Sequence, residues 1–351
     1  MAKTFRVGVL GLSHDHVWDN LQQLKACGRG TLVAAWDPNP PLLDRVKQQY
    51  GCAIHGDAET LLAREQLDAV YVFGDNANGA QLAARAAGRG LHVLIEKPMA
   101  ASLDGADRML AASRDGGGRL MVNWPFAWWP QLQHALRLAR GGDIGDVWQV
   151  KYRAAHAGPR ELGCSPYFCD WLYDPARNGA GAFMDYCCYG AALSRCILGM
   201  PSRVTAVGGR LRKEEILAED NGILIMTYAR ALALSEGSWT QIGDLTSYTT
   251  VIHGSRGTLL VEPRAGGRLL LANDDQPLGA PVEVPPAAPE MRTASDHFLN
   301  ALATEQPFYD LCAARNGRDT QEILEAGLLS IAEGREVSLP LKSFLSGRTR
   351  P

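Results

Sequence analysis

The 351-residue sequence has no stretch that approaches the ~18–20 consecutive apolar residues needed to span a membrane. Its most apolar segment, residues 223–234, is interrupted by Arg230. The N-terminus also lacks a secretory pattern, because its apolar run is short, alternates like a strand and precedes no small-residue cleavage site. These absences argue against a membrane partner and predict a cytoplasmic location.

Blocks of like charge are absent as well, and 35 Lys and Arg against 38 Asp and Glu give a formal net charge of -3. Because a nucleic-acid-binding domain normally carries a basic patch, we expect no nucleic-acid partner. Apolar residues make up 46% and charged residues 21% of the chain, which is typical of a globular protein. A chain of this length is expected to form two domains.

Cysteine pairs of the CxxC type do not occur among the eight cysteines. Since there is no export signal and the chain is long enough to bury a core, we predict free thiols, several of them buried. The adjacent Cys187 and Cys188 would form a disulfide only with strain. His14 and His16 are spaced like a metal-binding pair, but the sequence identifies no third ligand, and we predict no metal.

What the sequence does contain is a regular alternation of strand and helix patterns before Asn123. Apolar strands are predicted at residues 5–10, 32–36, 69–73, 92–95 and 120–122, with helical patterns between them. Near-continuous apolar strands are typical of a parallel sheet that is covered on both faces. We therefore predict a doubly wound α/β domain over residues 1–123, with ligands at the carboxyl ends of its strands.

After Asn123 strands follow one another with few helices between them. They are predicted at residues 147–155, 204–211, 222–228, 232–239, 248–253, 258–261 and 268–271. Helices are predicted at residues 130–140, 182–198, 291–304 and 319–334, and a long aromatic-rich loop at residues 158–179. This succession indicates an α+β domain over residues 124–351 with an antiparallel or mixed sheet.

A glycine turn follows the first strand, where a dinucleotide fingerprint G-x-G-x-x-G belongs. Gly11 keeps the first glycine of this pattern, whereas Ser13 and His16 stand at the second and third positions. The turn would bring Gly11, Leu12, Ser13 and His14 to the pyrophosphate at the start of the next helix. A plain strand-to-helix turn is the alternative interpretation.

Asp37 ends the second strand, 26 residues after Gly11 and near the ~20 expected for the acid that binds the adenosine ribose. A carboxylate there accepts hydrogen bonds from both ribose hydroxyls and repels a 2′-phosphate. No cation follows in the Pro-Asn-Pro-Pro segment, so the pattern favours NAD over NADP. A helix-capping aspartate is the alternative.

The tripeptide Glu96-Lys97-Pro98 ends another buried strand and is expected to face the ligand crevice. We predict that burial beside a nicotinamide ring lowers the pKa of Lys97, so that it takes or relays a hydroxyl proton. A solvated surface lysine is the alternative. The remaining predicted cofactor contacts at strand ends are Gly74, Asn76, Glu96 and Asn123.

Asp185 and Tyr189 lie four residues apart in a predicted helix and so share one face. A carboxylate and a phenol at this spacing are suited to orient a sugar hydroxyl and complete a proton relay. A first-turn acid beside a packed tyrosine is the alternative. Trp124 follows Asn123 at the domain junction, where its ring would either stack on the substrate or pack between the domains.

Together, the glycine turn, the acid after the second strand, Glu-Lys-Pro after a later strand and the helix motif G-x-G-A-x-x-D-x-x-x-[HY] resemble the Gfo/Idh/MocA oxidoreductases. This family is named after glucose–fructose oxidoreductase and inositol dehydrogenase. The resemblance covers essentially the whole chain, and residues 68–98 are its most specific part.

The resemblance implies an N-terminal Rossmann domain that binds NAD, and a C-terminal domain whose large open, mostly antiparallel sheet mediates homodimers or homotetramers. The family's lysine falls on Lys97, its helix acid on Asp185 and its usual histidine on Tyr189. Two further departures are Gly79, in place of a frequent histidine, and Ala192, in place of a frequent second acid.

These observations predict an NAD-dependent oxidoreductase that transfers hydride between nicotinamide and a secondary alcohol or ketone of a sugar or cyclitol. Lys97 and Tyr189 would handle the proton, while Asp185 positions the substrate. Two alternatives stay open. Some relatives hold NAD tightly and cleave glycosides by oxidation and elimination, and others bind the dinucleotide without catalysis.

Overall fold

The computed structural model describes residues 4–264 and 266–341, and its N-terminal part is built on a six-stranded parallel sheet. The strands are β1 Phe5–Leu10, β2 Gly30–Trp36, β3 Ala53–Ile54, β4 Ala69–Val72, β5 His92–Glu96 and β6 Leu120–Asn123. Their order is β3-β2-β1-β4-β5-β6, and every pair is parallel. The doubly wound Rossmann architecture is therefore confirmed, and the strand order reverses between β1 and β4, where such sheets bind ligands.

Helices connect these strands, and local capping explains where several of them begin and end. They are α1 His16–Cys27, α2 Pro40–Tyr50, α3 Ala58–Arg64, α4 Asn76–Gly88 and α5 Leu103–Gly116. The side chains of Asp57, Asp75 and Ser102 accept hydrogen bonds from the first turns of α3, α4 and α5. The short β3 and α3 were not predicted, because neither carries a long periodic pattern.

The second sheet has nine strands in the order β14-β13-β12-β11-β7-β10-β9-β8-β15. They are β7 Val147–Ala155, β8 Arg203–Gly209, β9 Asn221–Thr227, β10 Leu232–Ser238, β11 Thr249–Gly254, β12 Thr258–Val261, β13 Leu269–Ala272, β14 Ala280–Val282 and β15 Val337–Ser338. Only the pair β7 and β10 is parallel, so the predicted mixed, mostly antiparallel sheet is confirmed. Burial alternates along β8 and β9, because helices cover one face alone.

The helices of this part are α6 Pro130–Gly141, α7 Pro166–Leu172, α8 Pro175–Asn178, α9 Cys188–Leu198, α10 Ala294–Ala303 and α11 Ala314–Glu333. The prediction of one long loop at residues 158–179 is wrong, since it contains α7 and α8. Both begin with proline at the first helical position, after the capping side chains of Ser165 and Asp174. Neither helix was predicted, because each is too short to show a periodic pattern.

The predicted helix at residues 182–198 begins with a π-helical turn, Phe183–Cys187, before α9. The Glu219 side chain accepts hydrogen bonds from the N–H groups of Gly181 and Phe183 and so satisfies donors at this irregular start. A π turn carries one residue more than an α turn and is often found at functional sites.

The C-terminal segment returns to the first sheet. On α10, Ser295 accepts a hydrogen bond from the Tyr71 hydroxyl at 2.9 Å, and Phe298 packs on the Tyr71 ring.

The domain limits at residues 123 and 124 stay a prediction. Residues 342–351, which belong to the predicted second domain, lie outside the described residues. All eight cysteines are free thiols, as predicted, and six of them are buried. Within the described ranges no helix is long and apolar enough to cross a membrane.

Candidate active site

The glycine turn lies at the switch point between β1 and β4. Gly11 has φ +86°, and a Cβ atom built on it would lie 2.4 Å from the backbone nitrogen of Gly74. Glycine is therefore required at residue 11 for two reasons, its left-handed backbone and its close approach to the loop after β4. Both glycines, with Ser13, line a cavity of about 410 Å³.

Asp37 lies behind this turn, almost completely buried. One carboxylate oxygen accepts the N–H of Leu12 at 2.5 Å, and the other accepts the backbone and side-chain N–H groups of Asn39 at 2.7 and 2.8 Å. Burial raises the pKa of Asp37, although these hydrogen bonds favour its charged form. The N-cap of α2 is Asn39, so Asp37 braces the glycine turn rather than capping the helix.

The rim of this cavity is more acidic than basic. Its acidic lining residues are Asp37, Asp57, Glu59 and Asp75. Its two arginines are already paired, Arg85 with Glu59 and Arg177 with Asp75, each at 3.1 Å. A 2′-phosphate in this cavity would therefore lie near carboxylates, while both arginines already form ion pairs with acidic side chains.

Asn76, a predicted cofactor contact, faces α8 instead. Its side-chain nitrogen donates to the backbone and side-chain oxygens of Asn178 at 3.0 and 2.8 Å. On the other side of the turn, the Asp15 carboxylate accepts the N–H of Ser165 at 2.7 Å. The segment that holds α7 and α8 is thus fastened to the Rossmann domain at both places.

Polar side chains at the ends of β5 and β6 form one connected group. The Glu96 carboxylate contacts His16 Nδ1 at 3.0 Å and accepts the side-chain N–H of Asn123 at 2.7 Å. Asn123 in turn accepts the indole N–H of Trp128 at 2.9 Å. Burial lowers the pKa of His14 well below its usual value, and its Nδ1 accepts the backbone N–H of His16. His14 is therefore neutral.

The structure brings a third ligand-type side chain to the His14 and His16 pair. Nitrogen and oxygen atoms of His14, His16 and Glu96 lie within 4.8 Å of one another. The sequence did not indicate this, because Glu96 lies 80 residues beyond His16. The hydrogen bonds described above already occupy the Glu96 carboxylate, and the prediction of no metal stays a prediction.

Lys97 lines a second cavity, together with residues of the second part of the chain. Its ammonium nitrogen lies 2.6 Å from one Asp185 carboxylate oxygen, with both side chains nearly inaccessible. The other oxygen of Asp185 accepts the indole N–H of Trp239 at 3.3 Å. Burial opposes the lysine charge, but the adjacent Asp185 carboxylate outweighs it and raises the pKa of Lys97 above its usual value. The predicted lowering of this pKa is therefore wrong, because a carboxylate lies within hydrogen-bond distance.

Tyr189 lies in an aromatic group beside this pair. Its ring stacks on Tyr152, meets Phe126 edge-on with centroids 5.0 Å apart, and has the Lys97 nitrogen 4.9 Å from its own centroid. Burial raises the pKa of Tyr189 well above its usual value. Trp124 is fully buried against Tyr189, so it supports the cavity wall without reaching its surface.

This second cavity has a volume of about 220 Å³. Its polar and charged lining residues are His16, Lys97, His156, Asp185, Tyr152, Tyr186, Tyr189 and Tyr248. Four of them were not indicated by the sequence patterns: Tyr152, His156, Tyr186 and Tyr248. The position of His156 at the carboxyl end of a predicted strand was an available signal, and Tyr186 directly follows Asp185. Their meeting could not be seen, because it depends on the π turn and on pairing within the second sheet.

Comparisons with known proteins agree with the two-part fold. Residues 5–124 match the model of an oxidoreductase family with an NAD-binding Rossmann fold, and residues 132–260 match the GFO/IDH/MocA C-terminal domain. The D-apiose dehydrogenase of Paraburkholderia graminis is 27% identical over 349 residues, which cover 95% of this chain and 88% of the relative. The D-xylose 1-dehydrogenase (NADP(+)) 2 of Haloferax volcanii is 33% identical over 170 residues, 48% of this chain and 50% of that protein.

Among solved structures, the WlbA dehydrogenase from Bordetella pertussis, in complex with NADH and UDP-GlcNAcA, has the same fold. It is 23% identical and superposes with a TM-score of 0.79 over 97% of this chain and all of its own. The likeness therefore extends over both sheets and the cleft between them.

Proposed function

The chain belongs to the Gfo/Idh/MocA family of oxidoreductases, and from that premise we propose that it transfers a hydride between NAD and a secondary alcohol or ketone on a single sugar or cyclitol ring. The observation that carries this proposal is the buried pair of Lys97 and Asp185, 2.6 Å apart in a cavity beside the glycine turn.

The residues around the turn fit a dinucleotide. Gly11 leaves the backbone open where the pyrophosphate would lie, and the first N–H groups of α1 offer partial positive charge. We propose Gly11, Leu12, Ser13, His14, Asp37, Gly74, Glu96, Lys97 and Asn123 as its contacts, with Asn76 acting through α8. When bound, the nicotinamide accepts or supplies the hydride. The acidic rim favours NAD over NADP.

Lys97 supplies a fixed positive charge in the cavity. Because the raised pKa keeps it protonated, it is suited to donate a hydrogen bond to the reacting oxygen and to stabilise negative charge there. Asp185 holds the ammonium group in place, and the Trp239 indole holds Asp185. Tyr189 lies under the ammonium group as part of the wall, with its hydroxyl as the further proposed substrate contact.

The size of the cavity supports a small substrate. Its volume of about 220 Å³ lies below the roughly 300–1,000 Å³ of pockets for drug-sized ligands, which favours one sugar ring over a nucleotide-linked sugar. Aromatic side chains, among them Phe126, Trp129 and Phe168, form much of the wall and suit the apolar faces of such a ring.

We also propose that the second sheet forms the interface of a homodimer or homotetramer. Its outer face exposes Trp148, Val207, Ile223, Ile225 and Leu232, of which Val207 is 62% accessible. Val207 is directly opposite Ile223 on neighbouring strands, so these two side chains form one exposed apolar patch. Light scattering should show an oligomer for the natural chain and a smaller species for Ile225→Glu. A monomeric natural chain would contradict this interface.

The cytoplasmic location stays a prediction from the sequence.

The test of the proposed function is a panel of free pentoses, hexoses, cyclitols and nucleotide-linked sugars, each supplied with NAD or NADP. We expect reduced nicotinamide to form with a free sugar or cyclitol and NAD. Turnover restricted to nucleotide-linked sugars would contradict the substrate size, and a strong preference for NADP would contradict the role of Asp37.

A further inference from the structure

We propose that Tyr186, oriented by His156, is the hydroxyl that exchanges a proton with the reacting oxygen of the substrate. This inference rests on the proposed function and names the proton donor within the same cavity. Both side chains line that cavity together with Lys97 and Asp185.

His156 directly follows β7, is 3% exposed and has a fixed orientation. Its Nδ1 accepts the backbone N–H of Gly158 at 2.8 Å, so that nitrogen carries the lone pair. Burial lowers the pKa of His156 to about 4, which keeps the ring neutral near pH 7. Its single N–H proton is therefore on Nε2, which hydrogen-bonds the Tyr186 hydroxyl.

The hydrogen bond from His156 determines where the Tyr186 hydroxyl proton can point. Because His156 donates to the Tyr186 oxygen, the proton of Tyr186 points elsewhere, either into the cavity or to the Tyr248 hydroxyl at 3.2 Å. Tyr248 is only partly buried, so it connects Tyr186 to water. His156, Tyr186 and Tyr248 thus form a hydrogen-bond relay. Within it, the Tyr186 oxygen accepts one fixed hydrogen bond from His156, and the Tyr186 proton can be donated to a substrate.

Tyr189, which occupies the position of the family's usual histidine, differs from Tyr186 in the hydrogen bonding of its hydroxyl group. Among residues 4–264 and 266–341, no group hydrogen-bonds the Tyr189 hydroxyl, and Lys97 lies over the ring rather than beside the oxygen. Tyr186 also has the Lys97 nitrogen near its ring, 5.8 Å from the centroid. Of the two phenols, only Tyr186 has a group that fixes the direction of its proton.

The proton and electron changes balance as follows. In the direction of ketone reduction, the carbonyl carbon gains a hydride from the reduced nicotinamide of the proposed function. The carbonyl oxygen takes the proton of the Tyr186 hydroxyl, Tyr186 takes the proton of Tyr248, and Tyr248 takes one from water. His156 keeps its own proton throughout and stabilises the transient charge on the Tyr186 oxygen. Alcohol oxidation runs the same transfers in reverse.

The test compares Tyr186→Phe, Tyr189→Phe and the control Tyr228→Phe, whose buried hydroxyl has no partner within the described part of the chain. The assay measures kcat, KM and the solvent deuterium isotope effect with the best sugar of the panel, and dinucleotide affinity by fluorescence. We expect Tyr186→Phe to lower kcat about 10²–10³-fold with KM and dinucleotide affinity nearly unchanged. We expect a smaller loss for Tyr189→Phe and none for Tyr228→Phe.

Two variants of His156 separate positioning from packing. His156→Gln keeps an N–H donor and should retain most of kcat, whereas His156→Phe should lose as much as Tyr186→Phe. A Tyr186→Phe variant with natural kcat, or a larger loss in Tyr189→Phe, would overturn the inference while the proposed function stands. A natural chain that turns over no sugar would overturn both.

Discussion

The proposed dinucleotide site and the proposed sugar site are held by different parts of the chain. At the glycine turn the decisive contacts are made by backbone, through the left-handed Gly11, its approach to Gly74 and the N–H of Leu12 on Asp37. In the second cavity they are made by side chains that are distant in sequence, such as Lys97 and Asp185. The turn therefore tolerates Ser13 and His16 in place of fingerprint glycines, whereas the cavity depends on particular side-chain atoms.

The largest effect expected from this difference belongs to Lys97. We predict that Lys97→Met lowers kcat about 10³-fold or more, because the cavity loses a positive charge beside the reacting oxygen. Affinity for NAD, measured by titration of intrinsic fluorescence, should fall far less than kcat, because Lys97 is one of several proposed NAD contacts. The matched control is Lys151→Met, an exposed lysine on β7, which should leave kcat unchanged.

Loss of Lys97 also leaves the Asp185 carboxylate buried without its partner, which costs about 3–5 kcal/mol of stability. The double variant Lys97→Met, Asp185→Leu should recover much of this stability in urea unfolding and still lack turnover. Recovery of turnover in the double variant would contradict the role of the charge.

Gly11→Ala tests the other end. The added Cβ would lie 2.4 Å from Gly74 and would sit on a backbone with φ +86°, so we expect at least a 10²-fold loss of NAD affinity. Gly28→Ala is the control, since Gly28 also has positive φ, +65°, but nothing within 4 Å. It should lose about 1 kcal/mol of stability and no affinity. Equal affinity losses in both variants would mean that backbone strain, not close approach, is responsible.

His156 gives the cavity a dependence of stability on pH. Its pKa is about 4 in the folded chain and about 6.5 when unfolded, so between these values the unfolded state binds more protons. The contribution of His156 is complete above pH 6.5 and falls by about 3 kcal/mol as pH drops to 4. Urea unfolding of the natural chain and of His156→Gln across this range should show that the variant lacks this part of the decrease. Parallel curves would contradict the neutral, buried ring.

The smallest effect concerns cofactor choice. We predict that Asp37→Ser shifts the ratio of kcat/KM values for NAD and NADP about 10-fold toward NADP, because one carboxylate on the acidic rim is removed. Glu283→Gln, at an exposed carboxylate outside this cavity, serves as the control for net charge. An unchanged ratio would show that Asp37 only braces the turn.

The two ends also differ in how far the sequence predicts them. The strands of the first sheet and the glycine turn follow from patterns within about twenty residues, and the structure confirms the sheet. The neighbourhood of Asp185 was only half foreseen, since α-helical spacing indicated Tyr189 while the π turn also brings Tyr186 to the cavity. The pKa of Lys97 was predicted in the wrong direction, because its partner is 88 residues away in the sequence.

The central claim is that this cavity reduces or oxidises a free sugar ring with Lys97 as its essential cation. It is tested most directly by following reduced nicotinamide with the natural chain and with Lys97→Met, side by side on the sugar panel, after NAD binding has been measured for both. We expect the natural chain to form reduced nicotinamide and Lys97→Met to form almost none at equal NAD occupancy. Equal rates in the two proteins, or cleavage of a glycoside with no net change in nicotinamide, would contradict it.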